Sequence, residues 1–264
     1  MFEAENLYRE SYNQFIMALL LCHTVEVTTE GKFVASSPEE KATLEVLKDA
    51  GYKFLGAELN GTINVSLKGK RVQYKRMAVL PFDSYRKCMT VVIKEMETES
   101  SDTNIVDAAI DDVKETREAI HMFIKGADGV IIPACSSTIS DGNQIMDKTQ
   151  TIVNGYASQG LRTLVYGYKR LSRNEFDLFT NKLEQAKQSM VNRVKFVREA
   201  YRDLEAKEIQ LLGATAIEDK LQEDVAETIN KLGQAGITTW MVTGDKKETA
   251  VNLGYASGKY WPVK

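Results

Sequence analysis

An apolar run, Ile237 to Val242, stops at Thr243-Gly244-Asp245, and a helical pattern restarts at Lys247-Glu-Thr249. That succession predicts a strand, a turn and a helix. In a parallel α/β sheet, ligands sit at the carboxyl ends of the strands. A Thr-Gly-Asp turn there offers a hydroxyl, an unobstructed backbone and a carboxylate, a set that suits a phosphate with its Mg²⁺. Upstream, Ala214-Thr-Ala-Ile-Glu-Asp-Lys-Leu-Gln222 ends in a charged cluster that leads into a second helical pattern. From Leu211 the chain therefore reads as strand, helix 221–235, strand 237–242 and helix from 247.

Composition narrows the class. The 264 residues allow one large domain or two modest ones, and a hydrophobic share of 43% supports a real core. A net charge of −3 gives no electrostatic case for nucleic acid as a partner. Cys22, Cys88 and Cys135 are widely spaced, and only His23 and His121 could join them, so no zinc site is expected. Reduced thiols fit this pattern. The start is acidic rather than basic, which argues against a signal peptide. The longest apolar run, Phe15 to Cys22, is too short to cross a bilayer.

Along the chain, residues 6–22 read as a helix and His23–Thr28 as a strand. Ser36-Ser-Pro-Glu-Glu40 is a helix start, with proline in the first turn and two acids near the positive end of the helix dipole. The helix runs to Gly51. Tyr52–Leu59, Thr62–Leu67, Val72–Pro81 and Thr90–Met96 read as strands, with Asn60-Gly61 as a hairpin signal. Residues 97–112 are polar and acidic, as in a surface insertion. Met122–Ile124 and Gly129–Ile132 flank a glycine turn. Residues 142–158 read as a helix, Leu164–Lys169 as a strand, and 174–207 as charged helices packed along one face. A domain boundary is expected near residue 210.

No Gly-x-x-x-x-Gly-Lys-Ser/Thr loop and no Gly-x-Gly-x-x-Gly fingerprint occurs, which excludes two common phosphate cradles. Basic and aromatic residues lie instead on three segments. Phe82-Asp-Ser-Tyr-Arg-Lys87 sets a flat aromatic beside cations, a pairing that suits a flat base bearing phosphates. It equally suits a core phenylalanine beside solvated charges. In Phe123-Ile-Lys125-Gly126-Ala-Asp128, a lysine at a strand end precedes a glycine that permits close backbone approach. In Gly160-Leu-Arg162-Thr-Leu164, an arginine precedes a strand, and its fork matches phosphate oxygens.

These segments, in this order, resemble the phospholipid flippase branch of the P-type ATPases. Phe82 to Met89 resembles the family's Phe-Ser-x-x-Arg-Lys-x-Met, with Asp83 where serine is commoner. Lys125-Gly-Ala resembles its Lys-Gly-Ala, and Gly160-Leu-Arg-Thr-Leu its Gly-x-Arg-x-Leu. Ser37-Pro-Glu-Glu40 resembles Ser-Pro-Asp-Glu, followed by Lys41 where alanine is usual. Asp219-Lys-Leu-Gln222 is close to Asp-Arg-Leu-Gln, and Thr243-Gly-Asp-Lys with Glu248-Thr-Ala matches the family's hinge segment.

The resemblance implies an α+β fold: an antiparallel sheet flanked by helices over 1–210 as a nucleotide-binding domain. Residues 211–264 would begin the second half of a haloacid-dehalogenase-like phosphorylation domain. It implies ATP and Mg²⁺ as ligands. Phe82 would stack on adenine, Glu40 would accept from the adenine amino group, and Lys87, Lys125, Gly126 and Arg162 would line the pocket. Asp219, Thr243, Gly244 and Asp245 would meet phosphates, ribose or Mg²⁺ when the domains close.

The family's Asp-Lys-Thr-Gly-Thr and Gly-Asp-Gly-Ala-Asn-Asp motifs are not in the chain. It is therefore expected to be the cytosolic-side part of a multi-pass membrane ATPase, binding ATP without turning it over. Phospholipid, and any accessory subunit, would engage only the membrane part. Two other readings stay open. A soluble phosphohydrolase of the haloacid dehalogenase class would need an Asp-x-Asp triplet, which the chain lacks. A protein-interaction module would use the charged helices at 174–207 and would keep Phe82 in the core.

Overall fold

The computed structural model describes residues 2–35, 37–96, 119–136, 142–206, 208–218, 222–243 and 247–258. The insertion expected at 97–112 lies outside them. By packing, the chain divides into two units, 1–140 with 165–213, and 141–164 with 214–264.

The first unit begins with α1 (Phe2–Leu21), the short pair β1 (Glu26–Val27) and β2 (Phe33–Val34), and α2 (Pro38–Asp49). Then come β3 (Tyr52–Ala57), β4 (Thr62–Leu67), β5 (Lys70–Asp83), β6 (Cys88–Glu95) and β7 (Ile120–Gly126). After α3 (Asp128–Ala134), the unit takes up β8 (Arg162–Leu171) at residue 165, then α5 (Arg173–Gln188), α6 (Arg193–Glu205) and the start of β9 (Gln210–Ile217). Strands β3 to β9 are neighbours in sequence order, and every pair from β3 to β8 is antiparallel. The fold is α+β, as the sequence predicts.

Turn chemistry fixes this order. At Asn60-Gly61 the side-chain oxygen of Asn60 accepts from Thr62 N–H at 2.7 Å, while Gly61 takes a left-handed φ of 88°. Lys68-Gly69 closes the next hairpin with two left-handed residues, the arrangement that matches strand twist. Strand β6 is buried continuously from Cys88 to Ile93. A strand covered on both faces reads as an unbroken apolar run. By contrast β3 alternates, with Tyr52 and Phe54 buried but Lys53 and Leu55 exposed.

The two faces carry different helices. Across the ladder, Met89, Lys125 and Tyr166 share one face. There Phe15 of α1 meets Tyr166 edge-on, with ring centroids 5.7 Å apart. Cys88 and Thr90 point the other way, toward Glu205 of α6. Helix α5 starts with a capping box: Ser172 Oγ accepts from Glu175 N–H, and the Glu175 carboxylate accepts from Ser172 N–H.

The second unit contains α4 (Gly142–Ser158), α7 (Val225–Gln234) and α8 (Lys247–Ala256). Its turn at Gly160 packs on α8, whose Asn252 donates to Ser158 O at 2.8 Å.

Two expectations are corrected. In His23–Thr28 only Glu26 and Val27 pair, because the His23 ring accepts from Val25 N–H and lies 2.8 Å from Leu20 O, turning the chain out of α1. The run Ile237–Val242 forms no strand. Among the described residues no ladder takes up its backbone groups, and Trp240 and Val242 are 85% and 93% exposed. An apolar run becomes a strand only where neighbours satisfy its N–H and C=O groups.

The β7–β8 core allows no added volume at Gly167. A Cβ there would lie 2.5 Å from Ile209 Cγ2 and 3.1 Å from Ile124 Cγ2, both fully buried side chains. Gly167→Ala should destabilise the protein by about 1–3 kcal/mol. Urea denaturation checks this through a lower midpoint at unchanged slope.

Candidate functional site

Register gathers Phe82, Lys87, Lys125 and Gly126 at one end of the sheet. Asp83 opposes Cys88, Cys88 opposes Gly126, and Met89 opposes Lys125. Phe82 is the last residue but one of β5, and residues 84–87 form the turn into β6. Phe82 is 63% exposed, so it is not a core phenylalanine. Lys87 is exposed and left-handed, with φ of 54°. Its carbonyl accepts from Ala127 N–H at 3.1 Å.

That contact explains Gly126. A Cβ at this position would lie 2.5 Å from Lys87 O and 2.9 Å from Cys88 Cα. Only glycine lets the two backbones approach this closely.

Lys125 and Glu40 form a buried ion pair, Nζ to Oε1 at 2.6 Å, with side chains 9% and 8% exposed. Ser37 caps α2 and places Glu40 in its first turn. The Glu40 carboxylate does not fold back on the cap. Its Oε2 accepts from both Thr24 N–H and Thr24 Oγ1–H at 3.0 Å. Burial disfavours the carboxylate, but the Lys125 ammonium and the Thr24 hydrogen bonds outweigh it and hold the Glu40 pKa below its usual value. Glu40 therefore supports folding above the ordinary carboxylate pKa, and that support fades as pH falls through its depressed folded pKa.

His23 sits beside this pair, edge-on to Phe54 at 4.5 Å. Burial pulls its pKa from 6.5 to about 4. Cys22 lies under the same strands, its Sγ 3.6 Å from Phe123 O, and burial pushes its thiol up to about 12. It is not a nucleophile.

On the other face, Arg86 pairs with Glu205 in the interior, with side chains 7% and 10% exposed. Thr90 Oγ1 donates to the same carboxylate at 2.6 Å, and Arg86 Nη2 donates to Pro81 O at 2.6 Å. Sequence reasoning assigned no role to Arg86, though it stands inside the Phe82–Met89 motif. Glu205 gave no signal at all, because it lies 119 positions away in a charged helix.

The register does not bring in the remaining predicted residues. Arg162 opens β8 and groups with the second unit, as does Thr243. Asp219, Gly244 and Asp245 lie outside the described residues. Among the described residues no three His, Cys, Asp or Glu side chains gather as a metal site.

Lys125→Ala would leave the Glu40 charge buried without its counter-ion. It should cost about 3–5 kcal/mol of stability, and the double variant Lys125→Met with Glu40→Gln less than half of that. Chemical denaturation of the three proteins at neutral pH checks both values. A depressed histidine pKa means that the unfolded chain takes up its proton first. Stability conferred by neutral His23 is complete above pH 6.5 and is lost as pH falls from there toward 4. An NMR titration of the folded protein should place its midpoint near 4, and a midpoint at 6.5 would refute the buried neutral ring.

Comparison with known proteins matches residues 11–224 to the family model described as "P-type ATPase, cytoplasmic domain N". Phospholipid-transporting ATPase IC is 35% identical over 246 residues in Xenopus tropicalis and 37% identical over 246 residues in Homo sapiens. Probable phospholipid-transporting ATPase 12 of Arabidopsis thaliana is 35% identical over 255 residues. Each alignment covers 92% of this chain but only 18–19% of the relative, so the chain spans about a fifth of the length of these curated relatives. With its antiparallel sheet, the helices on both faces and the Lys-Gly-Ala strand end in register with the Phe82 hairpin, the chain belongs to the P-type ATPase cytoplasmic N domains, and the relatives it resembles are phospholipid-transporting ATPases.

Proposed function

We propose that residues 1–210 bind ATP and position its terminal phosphate for transfer to an aspartate outside these 264 residues. In this reading, residues 211–264 begin the second half of the phosphorylation domain. The observation that carries it is the exposed Phe82 at the sheet end that also holds Lys87, Gly126 and Lys125. An aromatic left in solvent beside a lysine-bearing strand end offers a stacking face and cations for one ligand. Exposure of Phe82 also speaks against the interaction-module reading, which would bury it.

Each residue has a task. Phe82 stacks on the adenine ring, and Glu40 accepts from the adenine amino group. A carboxylate oxygen has two lone pairs, so Glu40 can do this while still holding Thr24 and Lys125. Lys87 and Lys125 line the nucleotide pocket. The family resemblance gives phosphate contact to Arg162 as well, and phosphate, ribose or Mg²⁺ contact to Asp219, Thr243, Gly244 and Asp245. Mg²⁺ commonly binds through one or two carboxylates plus substrate phosphates, so it needs no cage of protein ligands and would arrive with the nucleotide. Phosphoryl transfer depends on positioning and charge neutralisation, which these residues supply. The protein binds ATP without sustained turnover. In the parent, ATP use drives phospholipid movement across a membrane in which other segments are embedded.

Phe82 is the better residue for a test, because removing Lys125 also strips Glu40 of its partner. Phe82→Ala should weaken ATP–Mg²⁺ binding by about 1–3 kcal/mol, the worth of base–aromatic stacking, with an unchanged melting temperature. Isothermal titration calorimetry measures the first and calorimetric melting the second. Equal affinity in the two proteins would sink the reading.

A further inference from the structure

Helix α6 holds the Phe82 hairpin by three side chains on one stripe. Arg198, Tyr201 and Glu205 are spaced by three and four residues and so share a helix face. Arg198 donates to the Asp83 carboxylate from Nε at 2.9 Å and from Nη2 at 3.4 Å. Its guanidinium also lies 4.9 Å from the centre of the Tyr85 ring. Tyr201 lies under the Arg86 guanidinium, again at 4.9 Å. Glu205 takes the charge of Arg86 and binds Thr90 on the next strand. Asp83, Tyr85 and Arg86, half of the hairpin from Phe82 to Lys87, therefore touch one face of one helix.

Asp83 adds an internal brace. Its Oδ1 accepts from Tyr85 N–H at 2.7 Å, and its carbonyl accepts from Lys87 N–H at 2.6 Å. Hairpin tips are ordinarily the mobile parts of a sheet. This tip is fixed from both ends of its turn while Phe82 and Lys87 remain exposed. Fixing a ligand-facing loop before the ligand arrives removes an ordering cost from binding.

We propose that α6 is the positioning element of the nucleotide-binding hairpin. Arg198 and Glu205 act as positioning residues that set the Phe82 ring and Lys87 for the nucleotide without touching it. This rests on the reading of Phe82 as the adenine platform. It assigns a role to Asp83, where the resemblance puts serine: the carboxylate is the anchor that Arg198 grips.

ATP–Mg²⁺ titration of the 264-residue protein by calorimetry tests this with six variants. Arg198→Ala should weaken ATP about three- to tenfold, and Arg198→Lys should restore part of it. Asp203→Ala serves as the control. Asp203 is also on α6 but pairs with Lys182 of α5, away from the hairpin, so its removal should leave ATP affinity unchanged. In a Phe82→Ala background, Arg198→Ala should weaken ATP by less than it does alone, because one of the two groups it positions is gone. Glu205→Gln should weaken ATP in the same way where it folds, and the partly exposed Arg198 decides the matter where it does not.

Four outcomes overturn the proposal. If Phe82→Ala weakens ATP but Arg198→Ala and Glu205→Gln bind as the unaltered protein does, the adenine platform stands and the positioning role fails. If Asp203→Ala weakens ATP as much as Arg198→Ala, the effect is general to the helix. If the losses from Phe82→Ala and Arg198→Ala simply add, Arg198 does not act through the ring. If ATP does not bind, or Phe82→Ala binds it equally, the site reading itself falls and takes the proposal with it.

Discussion

The buried pair of Lys125 and Glu40 constrains the candidate site more than any other contact. Two charges leave water together at the end of β7, and each is tolerable only because the other is there. Thr24 supplies the hydrogen bonds that satisfy the second carboxylate oxygen. The pair therefore ties three distant segments into one unit: the strand, the first turn of α2 and the chain leaving α1. A ligand that draws on Lys125 must also respect Glu40, because neither can be neutralised alone. The same electrostatics act on His23. Burial is the main cause of its lowered pKa, and the Lys125 ammonium adds to it.

A second buried pair, Arg86 with Glu205, works from the opposite face of the same sheet end. Strand alternation makes this possible. Met89 and Lys125 point toward α1 and α2, while Cys88 and Thr90 point toward α6. The hairpin between β5 and β6 thus has an ionic clasp beneath each of its faces. Gly126 lets β7 lie close against the hairpin, since a side chain there would collide with the Lys87 carbonyl. The exposed groups of this end, Phe82 and Lys87, are the ones that no clasp consumes.

Much of this was legible in the sequence, for local reasons. Asn60-Gly61, Ser37-Pro38 and the unbroken apolar run of β6 each specify a geometry within a few residues. Lys125-Gly126 announced a strand end with close backbone approach, and the glycine does meet the Lys87 carbonyl. The failures are non-local. Ile237–Val242 has the composition of a buried strand, but whether it becomes one depends on neighbours it cannot specify. His23–Thr28 alternates like a strand, yet a histidine ring that bonds Leu20 and Val25 turns it aside. Glu205 could not be read as a partner of Arg86, because a long charged helix presents many carboxylates and only the fold selects one. The resemblance named residues for a nucleotide; it was silent on what holds them in place.

The ionic nature of both clasps bears on function. A buried ion pair is a weak way to stabilise a fold, and apolar residues of similar volume are often as good or better. This sheet already has an extensive apolar core from Ile63 through Val92 to Ile124, so stability alone does not call for two charged pairs at one end. Charge there does something that packing does not. It fixes direction as well as distance, because a guanidinium or a doubly hydrogen-bonded carboxylate satisfies its partners in few orientations. It also leaves lone pairs and N–H groups that a polar ligand can share, where an apolar contact would leave none. A sheet end that meets an anionic, flat ligand, as proposed above, would gain from both properties in return for the desolvation of four charges.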